Sequence, residues 1–361
     1  MNIIKIFTAA VLLPAAISLH AQNPATMFAG NREHNFHVQS GKNLIYDTRQ
    51  WKFYSGAPVR STPLIVANSI YFGNAAGVFY ALDKKNAKLH WQFQTNSAIH
   101  SSAAAANGKI FFADNRQLLY ALDERSGSLL WKTELGRKRD YPWRFDYYYS
   151  SPTLINDQII IGSDDGNLYS INQKTGNIKW KFAAKGILRA TAAVSANTVF
   201  IGDTEGVFYA VDLNSGRQKW SYKTLGDSLQ NGEYSFDRKA ILSSALVTNG
   251  KVIFGSRDGK LYCLSSTDGK LLWRMDHEFS WIISTPAIKD NILVTGTSDG
   301  RFIQGINVQD GKEIWRYNTQ LVVWSSPLII DDKVYEGDFD GGLYCLDLKT
   351  GRLISQVKFE G

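Results

Sequence analysis

The sequence predicts an all-β chain built from repeated four-stranded units, and three observations predict it. A phrase that reads as strand, tight turn and second strand ending in tryptophan recurs. It is seen in GNLYSINQKTGNIKW (Gly166 to Trp180), GVFYAVDLNSGRQKW (Gly206 to Trp220) and GKLYCLSSTDGKLLW (Gly259 to Trp273). Seven of the ten tryptophans, Trp51, Trp91, Trp131, Trp180, Trp220, Trp273 and Trp315, stand 40, 40, 49, 40, 53 and 42 residues apart. Helical periodicity is absent beyond the first 21 residues, where short apolar runs alternate instead with Asn-Gly, Asp-Gly and Ser-Gly turns.

The chain opens on MNIIKIFTAAVLLPAAISLHAQ, with Lys5, an apolar stretch from Ile6 to Leu19, and Ala21 before Gln22. That is the pattern of a secretory signal peptide over residues 1–21. It is too short for a membrane helix of about 20 apolar residues. No Cys follows the apolar core, so no lipid anchor is expected there. The formal charge of +7 becomes about +6 once Lys5 leaves, with both signs interspersed. Nucleic acid is therefore not an expected partner. A leader segment is expected over 22–46 and the repeat domain over 47–361.

Trp51 lies in a D-like strand, RQWKFYS (Arg49 to Ser55), with no A, B or C strand before it. Each later unit reads as strands A to D. In the second these are SSAAAA (Ser101 to Ala106), KIFFA (Lys109 to Ala113), LLYALD (Leu118 to Asp123) and SLLWKTE (Ser128 to Glu134). A four-stranded unit repeating about every 40 to 45 residues marks a β-propeller. The glycine four residues before most of the tryptophans permits positive φ in the C–D turn. Asp83, Asp123, Asp212 and Asp347 start that turn, where a short carboxylate accepts backbone N–H bonds. The tryptophan is expected to dock on the neighbouring blade.

Seven C–D phrases are present, and the last has Ser355 in place of Trp. Seven blades are therefore expected, with the Trp51 strand docking beside the last blade to close the ring. The alternative is eight blades, with an irregular first blade made from residues 22 to 55. Cys263 and Cys345 fill the same LYCL slot of units five and seven. With a blade between them they are expected to be free and buried rather than bridged.

Two long insertions fall in D–A connections, at Gly136 to Ser151 and Leu225 to Ser244. An up-down-up-down path puts both on one face. The first insertion carries Trp143, Arg144 and Tyr147, a mixture of arginine and aromatics typical of interface anchors. Each A strand starts with a small pair, and the residue before it should face the mouth of the central channel. Around the ring these are Arg60, His100, Tyr149, Arg189, Leu242, Ile283 and Trp324. Cationic and aromatic groups on one side oppose apolar groups on the other, an asymmetry suited to an anionic ligand. No H-E-x-x-H, G-x-S-x-G or Walker loop occurs. The turns SDDGN and DFDGG lack the EF-hand ligand ladder. No catalytic residue, metal or cofactor is predicted.

The repeated Tyr-Ala-Leu-Asp-x-x-Ser/Thr-Gly-x-x-x-Trp phrase resembles the repeat of the PQQ-like (quinoprotein-like) propellers from roughly Leu44 to Phe359. MFAGNREHN (Met27 to Asn35) is similar to the leader before their first blade. The resemblance implies two branches. One holds quinone-dependent dehydrogenases, whose adjacent Cys–Cys disulfide, calcium and acidic base have no counterpart here. The other holds BamB-type periplasmic binding propellers, which carry a lipoprotein Cys that this chain lacks. The expectation is a non-catalytic exported scaffold, periplasmic or secreted, in the bacterial cell envelope. It would bind an envelope protein, in outer-membrane protein assembly or otherwise, or a small anionic or carbohydrate ligand. Quinone-dependent oxidation is the alternative.

Overall fold

The computed structural model describes residues 26–35, 37–39, 51–141, 148–229 and 238–359. These residues form seven antiparallel sheets, each with four strands in the order A-B-C-D. The first blade runs Leu64–Val66, Ser69–Gly73, Val78–Asp83 and Leu89–Gln94. The seventh runs Leu328–Ile330, Lys333–Gly337, Gly342–Asp347 and Leu353–Lys358. The seven-blade reading holds. No helix among the described residues is long and apolar enough to cross a membrane.

The small pair at the start of each A strand has two jobs. In five blades the first hydroxyl, on Ser61, Ser101, Ser150, Ser284 or Ser325, bonds the backbone at the end of strand B and clamps A to B. The second links neighbouring blades. Thr62, Ser102, Ser151 and Thr191 each donate a backbone N–H to the hydroxyl of the next blade's pair, at 2.9–3.0 Å, and Thr285 does the same to Ser326. Buried backbone donors near the channel axis are satisfied in this way.

At the rim, the tryptophans dock as the repeat predicts. All seven indole N–H groups, Trp51 included, donate to the carbonyl just after the start of a C–D turn, at 2.8–3.3 Å. The residue opposite each D-strand tryptophan in strand C is small: Ala81, Ala121, Ser170, Ala210, Cys263 or Gly305. Both cysteines occupy this slot and are free and buried. Burial pushes the Cys263 thiol up to about 12.

The turn glycine has a further reason beyond backbone freedom. A methyl group on Gly127, Gly176, Gly216, Gly269, Gly311 or Gly351 would lie 2.5–2.7 Å from the preceding blade's indole. Blade one has Ala87 there, at φ 57, so positive φ alone does not demand glycine. Its predecessor in the ring, blade seven, has Ser355 in place of the tryptophan.

The fate of Trp51 corrects the expected closure. Residues 51–55 are not a strand, and their described contacts are with blade one. Trp51 bonds the Lys84 carbonyl, Phe53 packs edge-on against Phe72 and Tyr80, and the Ser55 carbonyl accepts from Tyr80 and Asn74. Six core clusters fill the six successive blade junctions. Among the described residues, the outward faces of blades one and seven belong to separate clusters, covered by Phe53 and by Val38. Among the described residues six junctions are thus packed, with Phe53 laid against blade one and Val38 against blade seven.

The leader crosses the channel on the side of the A–B turns. Thr26, Arg32 and Glu33 accept backbone N–H bonds from Ala105, Val194 and Val247, on the A strands of blades two, four and five. Val38 bridges Ile330 of blade seven in parallel. The channel therefore has a mouth framed by D–A loops and a floor made by the leader.

Candidate functional site

All seven ring residues expected at the mouth line one central cavity of about 670 Å³. Arg60, His100, Tyr149 and Arg189 stand on blades one to four. Leu242, Ile283 and Trp324 stand on blades five to seven. The leader contributes Met27, Phe28, His34 and Val38 to the same cavity. Trp143, Arg144 and Tyr147 lie outside the described residues.

Arg189 is more committed than the sequence suggested. Its side chain is buried, and Nε lies 2.6 Å from Asp164 Oδ1. Its guanidinium stacks 4.2 Å above the centre of the Tyr149 ring, and Nη1 donates to the Tyr148 carbonyl. Lys138 donates to Tyr149 Oη and stands 3.9 Å from Asp164. The buried charge is thereby paired, as a low-dielectric site requires. Sequence reading missed Asp164 because it stands immediately before the Asp165-Gly166 pair of a B–C turn, where acidic residues recur for structural reasons.

Tyr141 and Tyr148, which flank residues 142–147 of the first insertion, lie on the apolar side of the mouth. Tyr141 and Tyr148 pack with Leu242, Ile283, Trp281 and Trp324. Tyr148 Oη donates to the Trp324 carbonyl, and burial pushes its phenol well above the ordinary range. A second buried arginine, Arg257, donates to Tyr141 Oη at 2.8 Å and lies 4.3 Å over the Trp281 ring. Its only sequence signal is an arginine at a B–C turn position that holds Ala75, Asn115, Asp164, Thr204, Ser298 and Phe339 in the other blades.

His100 is held near a pKa of about 4, first by burial and then by the positive charges of Arg60, Arg189 and Lys138. It is neutral at pH 7. At the floor, burial brings His34 to about 4 against a weaker opposing hydrogen bond to Ala245. The Asp-Gly turns are accounted for by the fold. Tyr169 donates to Asp165 and Tyr344 to Asp338, while backbone N–H groups of the same turns bond the other carboxylate oxygens. Among the described residues no cluster of three His, Cys, Asp or Glu forms a metal cage.

The mouth face also differs from its opposite in exposed apolar surface. Val59, Phe279, Leu321, Phe339 and Phe359 lie on D–A connections, on a B–C turn or at the end of the last D strand, and all are exposed. Among the described residues, the exposed large side chains next to the C–D turns of the other face, at the starts of the D strands, are aliphatic: Leu89, Leu129, Leu130, Ile178, Leu271, Leu272, Ile314, Leu353 and Ile354.

The chain is similar to known proteins of two kinds. Over 128 residues it is 24% identical to the outer membrane protein assembly factor BamB of Yersinia pestis, a match that takes 31% of this chain and spans 32% of that relative's length. Over 96 residues it is 33% identical to the quinohemoprotein alcohol dehydrogenase ADH IIB of Pseudomonas putida, which takes 23% of this chain and 14% of that one. The crystal structure of BamB from Moraxella catarrhalis superposes with a TM-score of 0.69 at 20% identity, covering 84% of this chain and 88% of that one, which shows the shared fold. A family model described as outer membrane protein assembly factor BamB matches residues 33–222 and 228–360, nearly the whole repeat domain, and the chain belongs to that family.

Proposed function

We propose that this chain is an exported, non-catalytic binding scaffold of the bacterial cell envelope that takes a protein partner on its mouth face, in outer-membrane protein assembly. The observation that carries this reading is the exposure of the aromatic side chains Phe279, Phe339 and Phe359 on the loop-bearing face. Exposed aromatics rimmed by polar groups are the usual anchors of protein interfaces. The rigid blades beneath hold them at fixed separations. Trp143, Arg144 and Tyr147 of the first insertion are proposed as further anchors on that face. Export follows from the signal peptide read in residues 1–21. Family membership supports an assembly role. Quinone-dependent oxidation has less support, because Cys263 and Cys345 sit in separate blades and supply no adjacent pair.

Crosslinked pull-down from native envelope tests the reading. Phe279→Asp with Phe339→Asp should lose capture of the partner that the parent chain holds. Loss of a central aromatic anchor costs about 2 kcal/mol or more, roughly thirtyfold in affinity. Charge reversal at Lys84 and Lys85 on the opposite face should leave capture unchanged. The opposite pattern, with capture lost only at the lysines, assigns the partner to the wrong face.

A further inference from the structure

The face opposite the mouth carries a rim of its own. Strand D ends each sheet on the outside, so the D-strand starts mark the perimeter of the face that bears the A–B and C–D turns. All but Ile178 of the exposed aliphatic side chains at these starts belong to one arc, which runs from blade five through blades six, seven and one to blade two. They stand two or three residues past the turn glycine, or past Ala87 in blade one. A strand rises about 3.4 Å per residue, so they lie within about 10 Å of the turn. Blade four, outside the arc, has Gln218 and Lys219 at the same positions.

Cations sit at the middle of the arc. On the C–D turns of blades seven and one, Lys84, Lys85, Lys88, Lys349 and Arg352 are exposed and form no ion pair among the described residues. The carboxylates that start those turns, Asp83 and Asp347, accept the backbone N–H groups of Lys85, Asn86, Lys349 and Thr350. In the A–B turn of blade seven, Asp332 is paired with Lys289, and Lys333 offsets the charge of Asp331.

The composition of this rim identifies what covers it. Protein interfaces concentrate Tyr, Trp, Phe and Arg and are poor in Lys. The mouth face fits that description, with Phe279, Phe339 and Phe359 exposed. The rim has the reverse, with exposed Leu and Ile beside Lys and no exposed Phe, Tyr or Trp among its described residues. Apolar side chains enter the headgroup boundary of a bilayer by about 5–10 Å, which matches the depth of these residues behind the turn tips. Lysine stems can lie along the apolar layer while the ammonium stays in water. Anionic lipid attracts each such cation, by roughly fivefold in partitioning.

We infer that this arc rests on an anionic lipid bilayer, its aliphatic side chains in the headgroup layer and the lysines of blades seven and one against lipid phosphates. The leader closes the channel on this face, so the bilayer meets a sealed surface and the mouth points away from it. This inference stands apart from partner capture on the mouth face, and either can fail alone.

Co-sedimentation of the whole chain with phospholipid vesicles tests it. Vesicles of phosphatidylethanolamine and phosphatidylglycerol should bind the chain at least about tenfold more tightly than vesicles of phosphatidylcholine. Leu272→Ser with Ile314→Ser and Ile354→Ser should weaken that binding about tenfold, and so should Lys84→Ala with Lys85→Ala and Lys88→Ala. Lys174→Ala with Arg217→Ala, on the turns of blades three and four outside the arc, should change it less than about twofold. All these side chains are exposed, and melting curves matching the parent's confirm that each variant folds. The inference is overturned if the two vesicle types bind alike or neither binds at millimolar lipid. It is overturned if the aliphatic variant binds like the parent, which is electrostatic adsorption alone, or if the Lys174/Arg217 variant loses as much as the lysine triple. A parent that sediments as a dimer and an aliphatic variant that sediments as a monomer would assign the rim to a second copy instead. Vesicle binding lost only in Phe279→Asp with Phe339→Asp would put the bilayer on the mouth face, which also overturns it.

Discussion

A tryptophan and a glycine 36 to 49 residues further on form the unit contact of this molecule. The indole of one blade lies flat on the turn glycine of the next, close enough that a methyl group on Gly216 would stand 2.7 Å from Trp180. At φ 69 an alanine is also strained. Gly216→Ala should therefore destabilise the fold by about 2–4 kcal/mol, from overpacking plus left-handed strain. Ala87→Gly, in the turn whose indole, Trp51, comes from the N-terminal segment rather than a D strand, should change stability by less than about 1 kcal/mol. Urea unfolding of both variants checks the contrast. Glu336 is a second residue that breaks its repeat. Its strand-B slot is apolar in blades one to five and Thr295 in blade six, yet here it holds a buried carboxyl whose oxygens both lack a hydrogen-bond partner. Burial raises its pKa well above the usual range. An acid with a raised folded pKa adds no penalty below its unfolded value of about 4.3. Above that value the unfolded chain ionises first, so stability falls as pH rises until the folded pKa is passed. Glu336→Met should remove that downward slope and raise the melting temperature at pH 8 more than at pH 4.

Strands and blades were legible because they repeat. Each Tyr, Asp, Gly and Trp is read several times, so one departure does not spoil the pattern. The ring residues were legible for the same reason, since the small pair marks the start of each A strand. Pairings that occur once were not legible. Asp164 meets Arg189, and Tyr141 meets Arg257, across separations that no periodicity announces. The Trp51 segment was recognised as D-like, but a D-like phrase does not say which blade receives it. The structure gives it to blade one, where Trp51 makes the bond that a blade-seven tryptophan would otherwise make and Phe53 covers Phe72 and Tyr80. A chain lacking everything before residue 56 should therefore expose the back of blade one. It should melt several degrees lower and bind a hydrophobic dye in the native baseline. Unchanged melting and no dye binding would show that the segment contributes nothing to the ring.

At the scale of the whole molecule, the blades form a row with a direction. Each gives an indole to the blade after it and offers a glycine to the blade before it. Such a head-to-tail contact generates either a closed ring or an endless filament, because nothing in the contact itself tells copies when to stop. This chain blocks both of its loose ends. The receiving end is already occupied by the molecule's own Trp51, and Ala87 narrows the seat behind it. The giving end carries Ser355, which has no indole to offer a second copy. Two departures that look like decay of the repeat thus leave neither end of the row open to a second copy.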